Sequence, residues 1–129
     1  MNTFQHAPLV STKQLGDAAE DQALTHLQDR GLQLLARNYR TPGRGGGEID
    51  LIVREPNGTV VFVEVRRRAN QRHGGALASI SQAKQQRIAY AAQHYLRSWR
   101  HWPPCRFDVV VVEHGQLQWV QGAFQATGR

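Results

Sequence analysis

The sequence is poor in cysteine, in methionine and in long apolar runs. Its 129 residues contain 1 Cys, Cys105, and 1 Met, so an internal disulfide and a thiolate-rich zinc site are both excluded. No apolar stretch approaches the ~20 residues that a transmembrane helix needs, and no secretory hydrophobic segment opens the chain. We therefore expect a cytoplasmic protein that does not engage a membrane.

Acidic residues are also scarce, with 10 Asp and Glu against 16 Lys and Arg, a net charge of +6 and a pI near 10.4. This excess favours an anionic partner, although many basic proteins bind no nucleic acid. Hydrophobic residues make up 40% of the chain, enough for the core of one domain. We predict a loose N-terminal arm over residues 1–12, a single domain over 13–124 and a tail over 125–129.

Two of the few acids interrupt apolar β sequence. Apolar residues recur at every second position at Ile49, Leu51 and Val53, and residues 60–65 are apolar except for one acid, so two strands are predicted, joined by a turn at residues 55–58. Asp50 and Glu64 lie within these strands. A carboxylate there is costly unless it is paired, protonated or bound to a metal.

The length of the turn decides whether the two acids meet. A three-residue loop at 56–58, with Gly58 left-handed, places Asp50 directly opposite Glu64, with Cβ atoms about 5 Å apart. A two-residue loop at 57–58 would place them on opposite faces of the sheet. We favour the longer loop because it unites both carboxylates in one site.

Arg66 completes this face of the predicted hairpin. It lies two residues beyond Glu64 and therefore projects to the same side. Two carboxylates and a cation on one pleated face suit a hard metal ion and a phosphate.

Apolar periodicity predicts two helices, at residues 13–30 and at residues 79–99 with Ser79 or Ser81 as cap. Glu20 falls inside the first apolar stripe, where a salt-bridged edge residue and a carboxylate aimed at the metal site are equally good interpretations. Lys84 falls inside the second stripe and Arg87 at its edge. A snorkelling lysine is the default for Lys84 unless an anionic site lies nearby.

Several other polar residues have a weaker assignment. The glycine-rich loop at 41–47 does not match a phosphate-binding loop, so we predict only that Arg40 and Arg44 touch a backbone phosphate. Arg67 and Arg68 extend the third strand and are predicted to contact phosphates, with the segment 72–75 lying over the site.

Three further positions are assigned away from the site. Asp108 interrupts the apolar run at 106–113, and a structural ion pair with Arg106 is favoured over a metal ligand. Gln86 and Tyr90 have an i, i+4 spacing that some nucleases use. Because they lie on the polar face of the second helix, we leave them out of the site.

The predicted order, α-β-β-β-α-β plus a short last strand, resembles the PD-(D/E)XK nuclease core, with an acid in the second strand and Glu-x-basic in the third. Six separated motifs are similar to those of the YraN family: Ala19-Glu20, Asn38-Tyr39-Arg40, GEIDLI at 47–52, FVEVRRR at 62–68, Lys84 and RFDVV at 106–110. The resemblance covers roughly residues 15–124. It implies an α/β, restriction-endonuclease-like core, a mixed β-sheet flanked by helices, akin to Holliday junction resolvases.

The resemblance also implies roles for individual residues. Asp50 and Glu64 match the metal-binding acids, and Glu20 matches the helix acid that completes the site. Beyond the resemblance, we expect the carbonyl of Val65 to add a ligand. Arg66 stands where the nuclease pattern has lysine, and since arginine does not lose its proton it should not act as a general base. Activation of water would then fall to the metal. Resolvase-like relatives often work as dimers, so a homodimer is one expectation.

These features lead to two hypotheses. The first is an endonuclease dependent on Mg²⁺ or Mn²⁺ that hydrolyses phosphodiester bonds in DNA, favoured over RNA, with branched or structured DNA as a candidate substrate. Asp50, Glu64 and Arg66 would be catalytic, and Lys84, Arg87, Arg67 and Arg68 would hold the backbone. The alternative is a nucleic-acid-binding protein on a nuclease fold that has lost turnover.

Overall fold

The structure is a computed structural model that describes residues 10–68 and 80–126. Its elements follow the chain as α1 (Thr12–Asp29), β1 (Gln33–Arg40), β2 (Glu48–Arg54), β3 (Val60–Arg68), α2 (Gln82–Leu96), β4 (Cys105–Glu113) and β5 (Gln116–Phe124). The predicted order of helices and strands is confirmed. The segments 1–9 and 127–129, the candidate cap Ser79 and the segment 72–75 lie outside the described residues.

The first helix begins inside the segment that was predicted to be a loose arm. The Ser11 hydroxyl accepts from the Gln14 N–H at 3.0 Å, and the Gln14 side chain accepts from the Ser11 N–H at 2.8 Å. This reciprocal pair is a capping box, which satisfies two otherwise unpaired donors. The arm prediction is therefore wrong for residues 11 and 12.

The five strands form one mixed sheet in the order β1-β2-β3-β4-β5. The pairing is antiparallel except between β3 and β4, which run parallel and are connected through α2. The apolar core lies in two layers: α1 packs on one face of the sheet and α2 on the other. No helix in the described ranges is long and apolar enough to cross a membrane.

The β2–β3 hairpin has the three-residue loop. The Glu55 N–H donates to the Thr59 carbonyl at 2.9 Å, and Gly58 has φ of 96°. The paired residues run to Leu51 opposite Val63, so one further step brings Asp50 level with Glu64. The predicted register is confirmed.

The last strand is longer than expected because a buried carboxylate anchors its far end. Asp108 is 0% exposed and accepts four hydrogen bonds: two from Arg106 at 2.8 and 3.0 Å, one from the Trp119 indole at 2.8 Å and one from the Gly122 N–H at 2.9 Å. Arg106 also donates to Glu55 of the hairpin at 2.8 Å. The structural ion pair predicted for Asp108 is confirmed, and β5 spans 9 residues, as β4 does.

We expect Asp108→Asn to lower the free energy of unfolding by about 3 kcal/mol, because it removes the fully buried charge of a hydrogen-bonded network and leaves the largely buried Arg106 guanidinium with Glu55 as its remaining partner charge. Urea unfolding followed by circular dichroism measures this. The matched control is Lys13→Ala, which removes the exposed pair with Asp17 and should change stability by less than about 0.5 kcal/mol. Equal effects of the two variants would contradict a stabilising role for the buried network.

Candidate functional site

A polar pocket of about 410 Å³ opens between the start of β2, the middle of β3 and the first two turns of α2. We call it the carboxylate pocket, since Asp50 and Glu64 both face it. Its remaining lining is Arg40, Thr41, Gly43, Gly46, Gly47, Glu48, Lys84, Arg87 and Ile88. The structure thus brings together both strand acids and cations from α2.

Glu64 is the more deeply buried acid, with its side chain 6% exposed. One of its oxygens lies 2.8 Å from the Lys84 Nζ and 3.4 Å from an Arg66 guanidinium nitrogen. The lysine on the apolar side of α2 therefore faces an anionic site, and Arg66 lies on the face that the strand alternation predicted. Two cations compensate this carboxylate.

The charge of the Asp50 carboxylate is offset in a different way. Loss of water around it, and then the nearby Glu64, raise the pKa of Asp50 to about 8, while the Val65 N–H, which donates to Asp50 Oδ2 at 2.8 Å, acts in the opposite direction. Glu20 and Glu48 add smaller upward effects. Two neighbouring carboxylates resist double ionisation unless a cation joins them. Without such a cation, burial and this repulsion favour the protonated form of Asp50.

Glu20 is not part of the carboxylate pocket lining. It pairs with Arg37 of β1 at 3.3 Å, and Arg37 also contacts Asp21 at 2.7 Å. Of the two interpretations left open for Glu20, the structure therefore shows the salt bridge. The negative charge of Glu20 still contributes to the raised pKa of Asp50. In residues 10–68 and 80–126, no group of three or more His, Cys, Asp and Glu side chains is arranged to hold a metal.

Three carboxylates line the pocket: Asp50, Glu64 and Glu48, the last of which is paired with Arg40 at 3.6 Å. Mg²⁺ is commonly bound through one or two carboxylates together with water and substrate phosphate, and Mn²⁺ shares the preference for oxygen. Asp50 and Glu64 therefore fit a hard divalent cation without a third acid. Val65 enters the site through its N–H, and a ligand role for its carbonyl stays a prediction.

The other predicted phosphate contacts divide into two groups. Arg87 and Arg40 line the carboxylate pocket, the latter beside Glu48 at 3.6 Å, whereas Arg44 is exposed on the loop and outside the lining. Arg67 and Arg68 line another pocket, against α1. Neither belongs to the lining of the carboxylate pocket, and their contact with phosphate stays a prediction.

Sequence reasoning missed the role of the glycine-rich loop before β2. A Cβ on Gly47 would lie 2.2 Å from the Arg87 carbonyl oxygen, and one on Gly46 would lie 2.4 Å from the Thr41 hydroxyl. Thr41 in turn accepts from the Gly47 N–H at 2.7 Å. The run of glycines in the sequence could have indicated this close packing. Its role is to permit a backbone contact between the loop and α2.

These features define a mixed α/β protein that carries a paired-carboxylate pocket surrounded by cations. Its sequence matches the family described as "Uncharacterised protein family UPF0102" over residues 19–112. The chain belongs to the UPF0102 family, and the resemblance to the YraN family drawn from the six motifs is thereby confirmed.

Relatives match along almost the whole chain. A UPF0102 protein of Albidiferax ferrireducens is 68% identical over 116 residues, covering 90% of this chain and 91% of the relative. Another, from Cupriavidus taiwanensis, is 51% identical over 126 residues, covering 98% and 94%. A solved structure titled "Crystal structure of SSO0001" has a TM-score of 0.47 and 13% identity, covering 91% of this chain and 54% of that chain. This last likeness is too weak to carry an argument.

We expect Gly47→Ala to lower the free energy of unfolding by about 2 kcal/mol, because the added methyl group meets a backbone carbonyl that cannot move without shifting α2. Urea unfolding measures the loss. Gly16→Ala is the matched control: its Cβ enters open space on α1, and the change should stabilise the helix by about 0.5–1 kcal/mol. A neutral Gly47→Ala variant would rule out the close approach.

The pKa of Asp50 predicts how stability depends on pH without divalent cations. Because the folded value of about 8 lies above the ordinary 3.8, the native state binds more protons between these limits, and stability falls as the pH rises through them. The loss is at most about 1.4 kcal/mol per pH unit. Asp50→Asn removes this dependence, so wild type should lose stability relative to the variant from pH 5 to pH 8. Parallel unfolding profiles in EDTA would contradict the assignment.

Proposed function

We propose that this chain is a metal-dependent endonuclease of the restriction-endonuclease-like, PD-(D/E)XK class, which hydrolyses phosphodiester bonds in DNA and favours branched or structured DNA. One observation carries the proposal. Asp50 and Glu64 face the same pocket from adjacent strands, with Lys84, Arg66 and Arg87 around them. This combination suits a phosphate held between a hard cation and protein cations.

The chemistry of the donors supports Mg²⁺ or Mn²⁺ as cofactor. Both acids offer only oxygen, and the raised pKa of Asp50 reflects in part a carboxylate repulsion that a divalent cation would relieve. When bound, such an ion would stabilise negative charge on the phosphate and lower the pKa of a coordinated water. Asp50 would give up its proton on binding, and the Val65 N–H would keep that carboxylate oriented.

The cations have separate tasks in this proposal. Arg66, fixed beside Glu64, would stabilise charge on the scissile phosphate and cannot serve as the base. Arg87 and Arg40 at the pocket rim would hold neighbouring phosphates. Because phosphate contacts position a nucleic acid without reading its bases, cleavage should show little sequence preference.

A second candidate is a DNA-binding protein without turnover, and the state of Glu64 favours it. This carboxylate is already compensated by Lys84 at 2.8 Å and by Arg66 at 3.4 Å, so a metal must compete with two cations for its oxygens. DNA binding that is unchanged by EDTA, with no cleavage at any Mg²⁺ or Mn²⁺ concentration, would support this second function.

The test of the first function is cleavage of a labelled four-way DNA junction with Mg²⁺ or Mn²⁺, followed on denaturing gels. We expect cleavage that EDTA stops and that Asp50→Asn lowers at least about 100-fold, since a lost metal ligand removes both binding and charge stabilisation. Asp17→Asn makes the same chemical change on an exposed turn of α1 and should leave the rate unchanged. Cleavage that survives Asp50→Asn would refute the assigned site.

A further inference from the structure

The outward surface of α2 carries an exposed aromatic ring beside the carboxylate pocket. Tyr90 is 51% exposed, a large fraction for a tyrosine in the middle of a helix. Its only ring neighbour in the described ranges is His94, with centroids 6.5 Å apart. The ring therefore leaves much of its surface open to a partner.

The position of Tyr90 on the helix links it to that pocket. Arg87 lies three residues from both Lys84 and Tyr90 and therefore neighbours each of them, whereas Lys84 and Tyr90 lie about 120° apart around the helix, on its inner and its outer side. Lys84 and Arg87 line the pocket, and Tyr90 lies about 4.5 Å beyond Arg87 along the helix axis. A chain leaving the carboxylate pocket past Arg87 meets this ring next.

The electrostatics of this surface suit a polyanion. The sequence contains no Asp or Glu between Glu64 and Asp108, so no acid on α2 neutralises its cations. Glu64 compensates Lys84, but Arg87 and, further along the helix, Arg97 are exposed to solvent.

Tyr90 also forms one wall of a second cavity of about 380 Å³, which we call the glutamine groove. The remaining lining is Gln82, Gln85, Gln86, Ala89, Gln93, Gln125 and Ala126. Gln85 donates to the Ile80 carbonyl, whereas the side chains of Gln86 and Gln93 make no hydrogen bond to another described residue. A glutamine amide both donates and accepts, which suits the mixed donor and acceptor edges of nucleobases.

We propose that Tyr90 and the glutamine groove form a subsite for an unpaired nucleotide of the strand whose backbone lies in the carboxylate pocket. The base stacks on Tyr90, its edge faces the glutamine amides, and Arg87 holds the adjoining phosphate. A base inside a duplex is already stacked on both faces, whereas an unpaired base can stack on an aromatic side chain. The substrate class is thus DNA with a single-stranded segment at the cleavage site, which rests on the proposed function and narrows it.

The experiment compares two labelled oligonucleotides, a blunt duplex and the same duplex with a four-nucleotide overhang, by fluorescence anisotropy in EDTA. We expect wild type to bind the overhang substrate more tightly. Tyr90→Ala should weaken that binding roughly 10-fold and leave the blunt duplex unaffected, while Tyr90→Phe, which keeps the ring, should retain the preference. Tyr90→Leu, which keeps apolar bulk without the ring, should behave as Tyr90→Ala does.

Trp102→Ala is the matched control, because Trp102 is a similarly exposed aromatic, 56% exposed, outside the lining of both cavities. It should bind both substrates as wild type does. A 2-aminopurine in the first unpaired position gives a second readout: its fluorescence should be quenched by wild type and Tyr90→Phe but not by Tyr90→Ala. Thermal melting verifies that each variant is folded.

The two proposals fail separately. The nucleotide subsite is refuted if Tyr90→Ala binds both substrates as tightly as wild type does, or if its affinity for both falls by the same factor. This holds even where Asp50-dependent cleavage is observed. If the Tyr90-dependent preference is found but no metal supports cleavage, the subsite stands as a binding site and the endonuclease proposal is refuted.

Discussion

Two carboxyl groups, Asp50 and Glu64, face one pocket from adjacent strands, and the surrounding structure offsets their repulsion. The negative charge of Glu64 is compensated by Lys84 and Arg66. Asp50 is compensated by a proton and by the Val65 N–H. These four groups come from three sources: Lys84 from the second helix, Arg66 and the Val65 N–H from β3, and the proton from solvent. We propose that such a pair binds a divalent cation, because a cation would replace the proton and relieve the carboxylate repulsion that, together with burial, raises the pKa of Asp50.

The second helix connects the pocket to the rest of the fold. Its inner face packs Ile88, Ala91 and Leu96 against the sheet, and its first turns reach the start of β2 closely enough that Gly47 admits no side chain. This contact keeps the cations of α2 beside the strand acids. The outer face of the same helix is polar and carries Tyr90, so one element provides core packing, charge compensation and an exposed ring.

Local pattern was sufficient for much of the fold and for part of the site. Turn chemistry correctly predicted a hairpin at residues 55–58, and the preference for a loop that unites the two acids correctly predicted its register. Helical periodicity correctly placed Lys84 on the inner side of α2. It could not predict the partner of Glu20, because Arg37 lies on β1 and meets α1 only after the two elements pack. Likewise, the length of β5 depends on Gly122 reaching Asp108 across the sheet, a contact that no short window of sequence contains.

The sequence by itself determined which segments become helices and strands, since this follows from short-range periodicity. That Asp50 and Glu64 share one face depended on preferring a three-residue over a two-residue loop, a preference that the structure confirmed. Only the tertiary structure decided which charges compensate which. In the folded chain Glu20 pairs with Arg37, and Arg67 and Arg68 line a pocket against α1. The backbone of Gly47 packs against the backbone of Arg87. The physical reason is that burial and pairing of a charge depend on the distance between elements, which the order of residues along one element does not contain.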